Sequence, residues 1–315
     1  MRIEEKQCDL ALQRFGDSVD EILGNMYRQI ERAGRVCYAS KPKEGSAKDF
    51  VKRMISNGHL SVLEHGTIYL TVSADDILKV GAILHSKYTD YNIHDLHEDG
   101  RFIYITTNLR VLIENGFTVE DVMKYITTPR KYHVKRFGFL VRTSIGVTRE
   151  FNRHRVNSIS ESSTRYCNYS KDKFGNEVSF IKPWWYDAAD TTDDERKEFE
   201  DTVKDSERHY MNSINSGHFA ERARGALNLD TASTVFYTAS LPDWNHFFQL
   251  RCVKGAHPDA IMTASLMREA LLNYLDDYYL PLSDDVNGDI PIIQQIKQIK
   301  VVTSLGIGAV SRDPR

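Results

Sequence analysis

The chain has 315 residues, 41% of them apolar, with a net charge of −3 and a pI near 6.4. That is ample material for a buried core, and the acidic balance argues against a surface that coats a long polyanion. Cys8, Cys37, Cys167 and Cys252 form no CxxC pair and have no histidine partner at zinc-site spacing, and no run of about 18 apolar residues occurs, so a disulfide framework, a structural metal and a membrane span are all disfavoured.

In chain order, MRIEEKQCDLALQRF carries no apolar stretch behind its charges, so a secretory signal is not expected and a reducing, cytoplasmic setting is. Ser18 and Glu21 make a capping box for a helix carrying Ile22, Leu23, Met26 and Ile30 at helical spacing, with a stop expected at Gly34. Ser46 and Asp49 open a second helix that Asn57-Gly58 closes, delivering the chain into HLSVLEH. TIYLTVSA (67–74) reads as a strand. Residues 75–133 alternate helix-like and strand-like pieces: DDILKVGAILHS, RFIYITTN, NLRVLIENG and VEDVMKYI. FGFLVRTSI (137–145) is a further strand and runs straight into an arginine-rich segment, REFNRHRVNSISESSTRY (149–166). Residues 171–205 read as a polar loop and a charged helix. TASTVFYTAS (231–240) is a strand, LPDWNHFFQLR (241–251) a short amphipathic helix, and 258–279 a long one. With no repeat and no flexible linker, a single α+β domain is expected.

Four segments could carry chemistry. If 148–155 is helical, Arg149 and Arg153 share one face, Glu150 and His154 the next, and Arg155 points away from Arg153, so the guanidinium groups face two directions. That suits two anions, or ligands on both sides of a subunit boundary. SISESSTRY, read as a loop, offers hydroxyls, free N–H groups and the planar fork of Arg165 to phosphate or sugar oxygens. A solvated helix face with local Glu–Arg pairs fits the same composition, whereas Ser163 lacks a GxSxG elbow and an oriented base. HLSVLEH places His59, Ser61, Glu64 and His65 before a strand, at a spacing unlike the zinc-binding HExxH. Glu221 and Arg224 stand three apart, as a surface ion pair would. In the aromatic helix, Trp244, Phe247, Phe248 and Leu250 form the apolar face, with His246 and Arg251 off it.

Taken together, these pieces resemble the flavin-dependent thymidylate synthase family. Arg153-His154-Arg155, then seven residues, then Ser163 is similar to that family's signature; His59 to His65, Glu221-x-x-Arg224, Leu250-Arg251 and GRVCY (34–38) resemble its other segments in the same order. The resemblance implies an α+β domain spanning 1–315, with a central, mainly antiparallel sheet flanked by helices, assembled as a homotetramer with active sites between subunits. It implies reductive methylation of dUMP to dTMP, with 5,10-methylenetetrahydrofolate as carbon donor and FAD, reduced by NADPH, as hydride carrier, and without a catalytic cysteine, metal, nucleic acid or membrane.

By the same resemblance, Glu150, Arg153, Glu161, Ser162, Ser163, Arg165, Arg224 and Arg251 would contact dUMP. Arg251 would also be catalytic, favouring the electron-rich, N3-ionised uracil. His59, Ser61, Glu64, Arg153, His154, Arg155, Glu161, Ser240 and His246 would lie on the FAD side. The chain departs from the family's pattern in carrying Glu150 for a glutamine, Ser160 for an asparagine, and Ser240 and His246 where some members have asparagines. Residues 75–136 read as an insertion, since 83 residues separate His65 from Arg149. Two other classes remain against this reading: an arginine-rich nucleic-acid-binding module, which the acidic charge disfavours, and a non-catalytic oligomeric scaffold.

Overall fold

The computed structural model describes residues 1–96, 100–279 and 289–301. Strands β1 (Arg2–Glu4) and β2 (Gln7–Leu10) lead into helices α1 (Val19–Val36) and α2 (Ala47–Ser56). A 3-10 turn over Leu60–His65 delivers the chain to β3 (Thr67–Ser73), β4 (Asp90–Leu96), β5 (Gly100–Asn108), the short helices α3 (Leu109–Glu114) and α4 (Val119–Val122), and β6 (Ile126–Thr127). Then come β7 (Arg136–Ser144), α5 (Ile145–Phe151), β8 (Ser158–Glu161), β9 (Ser179–Ile181), α6 (Asp193–Asn215) and α7 (Ala220–Ala223). β10 (Ala232–Ser240), α8 (Leu241–Arg251), α9 (Pro258–Tyr274) and α10 (Ile290–Gln298) follow.

The expectation of one central sheet is corrected: the described residues form two four-stranded antiparallel sheets, ordered β2-β7-β10-β8 and β4-β5-β3-β6, and β1 pairs with β9 in parallel. The second sheet exists because 75–136 is not a loop draped on the surface. β5 pairs with β3 along its whole length, from Thr67↔Asn108 to Ser73↔Phe102, and β6 takes the other edge at Tyr69 and Leu70. An antiparallel ladder of this kind satisfies β3 on both sides.

Each sheet has its own core. Phe139, Val141, Phe151, Trp244, Phe247, Phe248, Met267 and Leu271 bury the first sheet against α5, α8 and α9. Met26, Ile30, Phe50, Val51, Leu63, Leu70 and Ile105 bury the second against α1 and α2. Each such side chain contributes about 1.5–3 kcal/mol as an upper bound. Helix α1 connects the two, since its Ala33 packs on Phe236 of β10 while Met26 and Ile30 enter the other core.

Several local expectations change. Helix α1 does not stop at Gly34 but runs to Val36. A Cβ at Gly34 would sit 2.7 Å from both Phe50 Cζ and Val62 Cγ2, so this glycine is there for helix packing. DDILKVGAILHS forms two 3-10 turns (74–79 and 81–85) in place of a helix. SISE is not loop but strand β8, paired with Val235–Thr238 of β10, which removes part of its backbone from ligand binding.

Candidate active site

The arginine segment begins as helix α5, with the Ser144 hydroxyl accepting the Val147 N–H at 3.3 Å. The helix ends at Phe151, so the helical alignment of Arg149 with Arg153 does not hold. The chain turns instead, with His154 N–H on Phe151 O and Asn157 N–H on His154 O, both 3.0 Å. Arg149, Arg153 and Arg155 are exposed, and among the described residues their guanidinium groups make no hydrogen bond or ion pair. Cations presented on a turn with no protein partner are available to anions.

Beneath them Arg251, the last residue of α8, is held at three points. Its Nε donates to His154 Nε2 at 3.0 Å, Nη1 to Glu150 Oε2 at 3.1 Å and Nη2 to the Glu150 carbonyl at 3.0 Å. The aromatic face of α8 creates this geometry by burying Trp244, Phe247 and Phe248, which leaves Arg251 at the half-buried rim. His154 packs edge-on against Phe247, with ring centroids 4.9 Å apart. Burial, reinforced by the Arg251 and His246 charges, lowers its pKa to about 4, so the imidazole is neutral at physiological pH.

The hydroxyl-rich stretch splits in two. Glu161, at the end of β8, accepts from Asn152 Nδ2 at 3.0 Å and from the Ser233 hydroxyl at 2.8 Å, and Asn152 Oδ1 in turn accepts from Tyr237. Ser162 Oγ accepts the Thr234 N–H at 3.1 Å, which pins the loop to β10. The Ser163 N–H donates to Cys37 O, at the end of α1. Beyond it the loop is open: Arg165 reaches Glu221 at 3.4 Å, and Arg224 lies 3.5 Å from Thr164 Oγ1. The expected Glu221–Arg224 pair is thus replaced by contacts that tie both residues to the arginine segment.

The HLSVLEH turn meets the same region from the other side. His59 and Ser61 are exposed, whereas Glu64 and His65 are buried. Glu64 is paired with Arg110 of α3, and its carbonyl accepts from Arg136 Nη1 at 3.2 Å. The His65 ring bridges Thr238 Oγ1 (2.9 Å) and Ser160 Oγ (3.1 Å), which explains why a hydroxyl stands at Ser160. Complete burial, with Arg136 nearby, lowers the His65 pKa to about 3. The Ser240 hydroxyl caps α8, accepting the Asp243 N–H at 3.3 Å and donating to Asp243 Oδ2 at 2.6 Å, while His246 is exposed.

Sequence reasoning missed Arg110, Arg136, Asn152 and Asn157. The first two lie in or beside the segment set aside as an insertion. Asn157 follows the RHR turn, and among the described residues both polar atoms of its buried side chain lack a partner; only its place in the arginine segment could have drawn attention to it. The donor set at the turn, the free guanidinium groups of Arg153 and Arg155 and the unspent amide of Asn157, fits a phosphate-bearing group such as a dinucleotide cofactor or a nucleotide. Burial pushes all four cysteine thiols up, Cys8 to about 12 and Cys252 to about 11, so none supplies a thiolate near neutral pH. Among the described residues no group of three or more His, Cys, Asp or Glu could hold a metal ion, and no helix is long and apolar enough to cross a membrane.

Residues 118–274 match the family model described as "Thymidylate synthase complementing protein". A curated relative, the probable flavin-dependent thymidylate synthase of Paramecium bursaria Chlorella virus 1, is 23% identical over 167 residues, covering 50% of this chain and 77% of the relative. Two solved structures of the UMP/dUMP methylase PolB from Streptomyces cacaoi, bound with 5-Br UMP or 5-Br dUMP, align over 87% of this chain and 92% or 93% of theirs. Their TM-scores are 0.41 and their identities 16% and 17%.

Proposed function

The chain belongs to the thymidylate synthase complementing protein family, and from that premise we propose that it is a flavin-dependent thymidylate synthase converting dUMP to dTMP. 5,10-Methylenetetrahydrofolate would be the carbon donor and NADPH the reductant. The observation that carries this reading is the attachment of Arg251 to His154 of the RHR turn and to Glu150, with Glu161, which precedes the 162–165 loop, tied to Asn152 of the same segment and the guanidinium groups of Arg149, Arg153 and Arg155 unspent among the described residues.

The residues divide by what they can do. Arg165, Arg224 and the 162–164 loop suit a nucleotide phosphate, because planar forks and short hydroxyl groups match its oxygens. Glu161, held by Asn152 and Ser233, is fixed as a polar wall of the same site. Arg251 carries a permanent charge at a half-buried position, where it can stabilise a uracil anion and so raise electron density at the ring carbon that is methylated. Arg153, Arg155, His154, His59 and Ser61 are the residues that would hold FAD, which when bound supplies hydride. Glu64 and Ser240 would act on that side through the backbone they hold, since their side chains are engaged with Arg110 and with the α8 cap. A homotetramer with shared sites accounts for cations left facing outward on one chain.

The test is release of hydrogen from uracil C5 by the purified protein with FAD, NADPH and methylenetetrahydrofolate. Wild type should release it in a dUMP-dependent way, and Arg251→Ala should lose about 100- to 1,000-fold in turnover while retaining flavin absorbance. Full turnover in the variant would remove the ring-activating role, and a wild-type protein that takes up no flavin would overturn the proposal.

A further inference from the structure

We propose that Glu150 and His154 are positioning residues that clamp Arg251 in one rotamer, Glu150 with its carboxylate and its own carbonyl and His154 with a ring nitrogen. What Arg251 does chemically rests on the function proposed above; how it is held does not.

An arginine side chain has several rotatable bonds, and fixing it costs conformational entropy that grows with the number of rotamers lost. Here three of its donors are satisfied by two residues four apart, from two directions: Nη1 and Nη2 by Glu150, Nε by His154. Carboxylate and carbonyl contacts at 3.1 and 3.0 Å from neighbouring nitrogens define the guanidinium plane, and the 3.0 Å contact at Nε prevents rotation within it. Arg251 Nε is a donor only, so His154 Nε2 must be the acceptor and the imidazole proton must sit on Nδ1. The tautomer is therefore dictated by the contact. The low basicity of this buried ring keeps Nε2 unprotonated and open to Arg251.

The clamp also gives Glu150 a purpose. A carboxylate beside Arg251 offsets part of its charge, a cost in a site that needs an uncompensated cation, and that cost is offset only if holding the guanidinium in place matters more. A glutamine could still accept from Nη1 through its amide oxygen, but more weakly, since the bond is no longer charge-assisted. Alanine removes the side-chain contact and leaves the carbonyl one.

Two measurements on the full-length protein decide the matter. With histidine labelled with nitrogen-15 and the His154 signals assigned from a His154→Gln variant, the wild-type ring should show the Nδ1–H tautomer, and Arg251→Met should release that preference. In dUMP-dependent C5-hydrogen release, Glu150→Ala should lower kcat about 10- to 100-fold with the dUMP KM changed less than threefold, and Glu150→Gln should recover most of that loss. An Nε2–H tautomer in the wild type, or Glu150→Ala turning over within twofold of wild type, would overturn the clamp. If the wild type shows the Nδ1–H tautomer yet releases no hydrogen, the clamp stands and the functional proposal falls.

Discussion

His65 shows how much one residue can settle in this fold. Fully buried, it joins the turn before β3 to both β8 and β10 through Ser160 and Thr238, two strands of the other sheet. Protonation would give it two donors and a charge with no carboxylate in contact, which burial penalises, and its pKa falls from the ordinary 6.5 to about 3. His133, sandwiched between the Arg130 N–H and Leu70 O, is lowered to about 4 for the same reason. The sign follows from linkage. Between pH 6.5 and these values the unfolded chain binds protons that the folded one refuses, so the stability contribution is complete above about 6.5 and is lost progressively as pH falls toward 3 to 4. Replacing His65 with Leu strands two hydroxyls and should cost about 1–3 kcal/mol at pH 7 in urea unfolding. It should also flatten the decline between pH 6.5 and 4 without abolishing it, because His133 and His154 still titrate. An acid slope unchanged from wild type would mean that His65 is not one of the groups responsible.

Helix α8 is the element on which the site turns, since it carries Ser240 at one end and Arg251 at the other. Ser240 is the residue whose cofactor role is least compatible with its contacts: the hydroxyl both accepts from Asp243 N–H and donates to its carboxylate, a complete cap. Ser240→Ala should therefore lower the unfolding free energy by about 1 kcal/mol while FAD affinity, measured by fluorescence titration, stays within twofold. A tenfold loss of FAD affinity with normal stability would return Ser240 to the cofactor. The same helix shows what could be read from sequence. Its aromatic stripe and the Pro at its start predict it well, and β3, β5, β7 and β10 are β-branched and aromatic runs of seven to nine residues that read as strands. Strand β8 was hidden because SISE is short, polar and joined to arginines, and β4, DYNIHDL, alternates too weakly to mark itself as a strand. Gly34 looked like a stop because a packing glycine and a terminating glycine are identical in one dimension. The Glu150–His154 spacing was visible, but not their shared partner, which lies about a hundred residues further on and is brought there by the pairing of β7 with β10 and the packing of Phe247 of α8 on Phe151 and His154.

At the scale of the whole molecule, the question is what residues 75–136 contribute. Read as an insertion they could be removed; the contacts argue otherwise. β3 has β5 on one edge and β6 on the other, and without them Ile68, Leu70 and Val72, all buried, would lose the ladder and much of their cover. Burial of each is worth about 1.5–3 kcal/mol, so these three side chains alone approach the whole stability of an ordinary domain. The loss would not stay local. Arg110 is the partner of buried Glu64, and leaving that carboxylate unpaired costs about 3–5 kcal/mol at full burial and less here because Arg110 is partly exposed. Glu64 in turn sits next to His65, the bridge to β8 and β10. A chain in which 75–136 is replaced by a short glycine-serine linker should therefore fail to give a soluble, cooperatively melting protein, as judged by size-exclusion chromatography and circular dichroism. A milder test isolates the connection: Arg110→Met, similar in length and apolar, should lower the melting temperature and reduce the dUMP-dependent release of uracil hydrogen together, because the pair links the second sheet to the turn that borders the site. If the linker variant folds and retains that activity, the second sheet is an attachment and the site is supported by the first sheet alone.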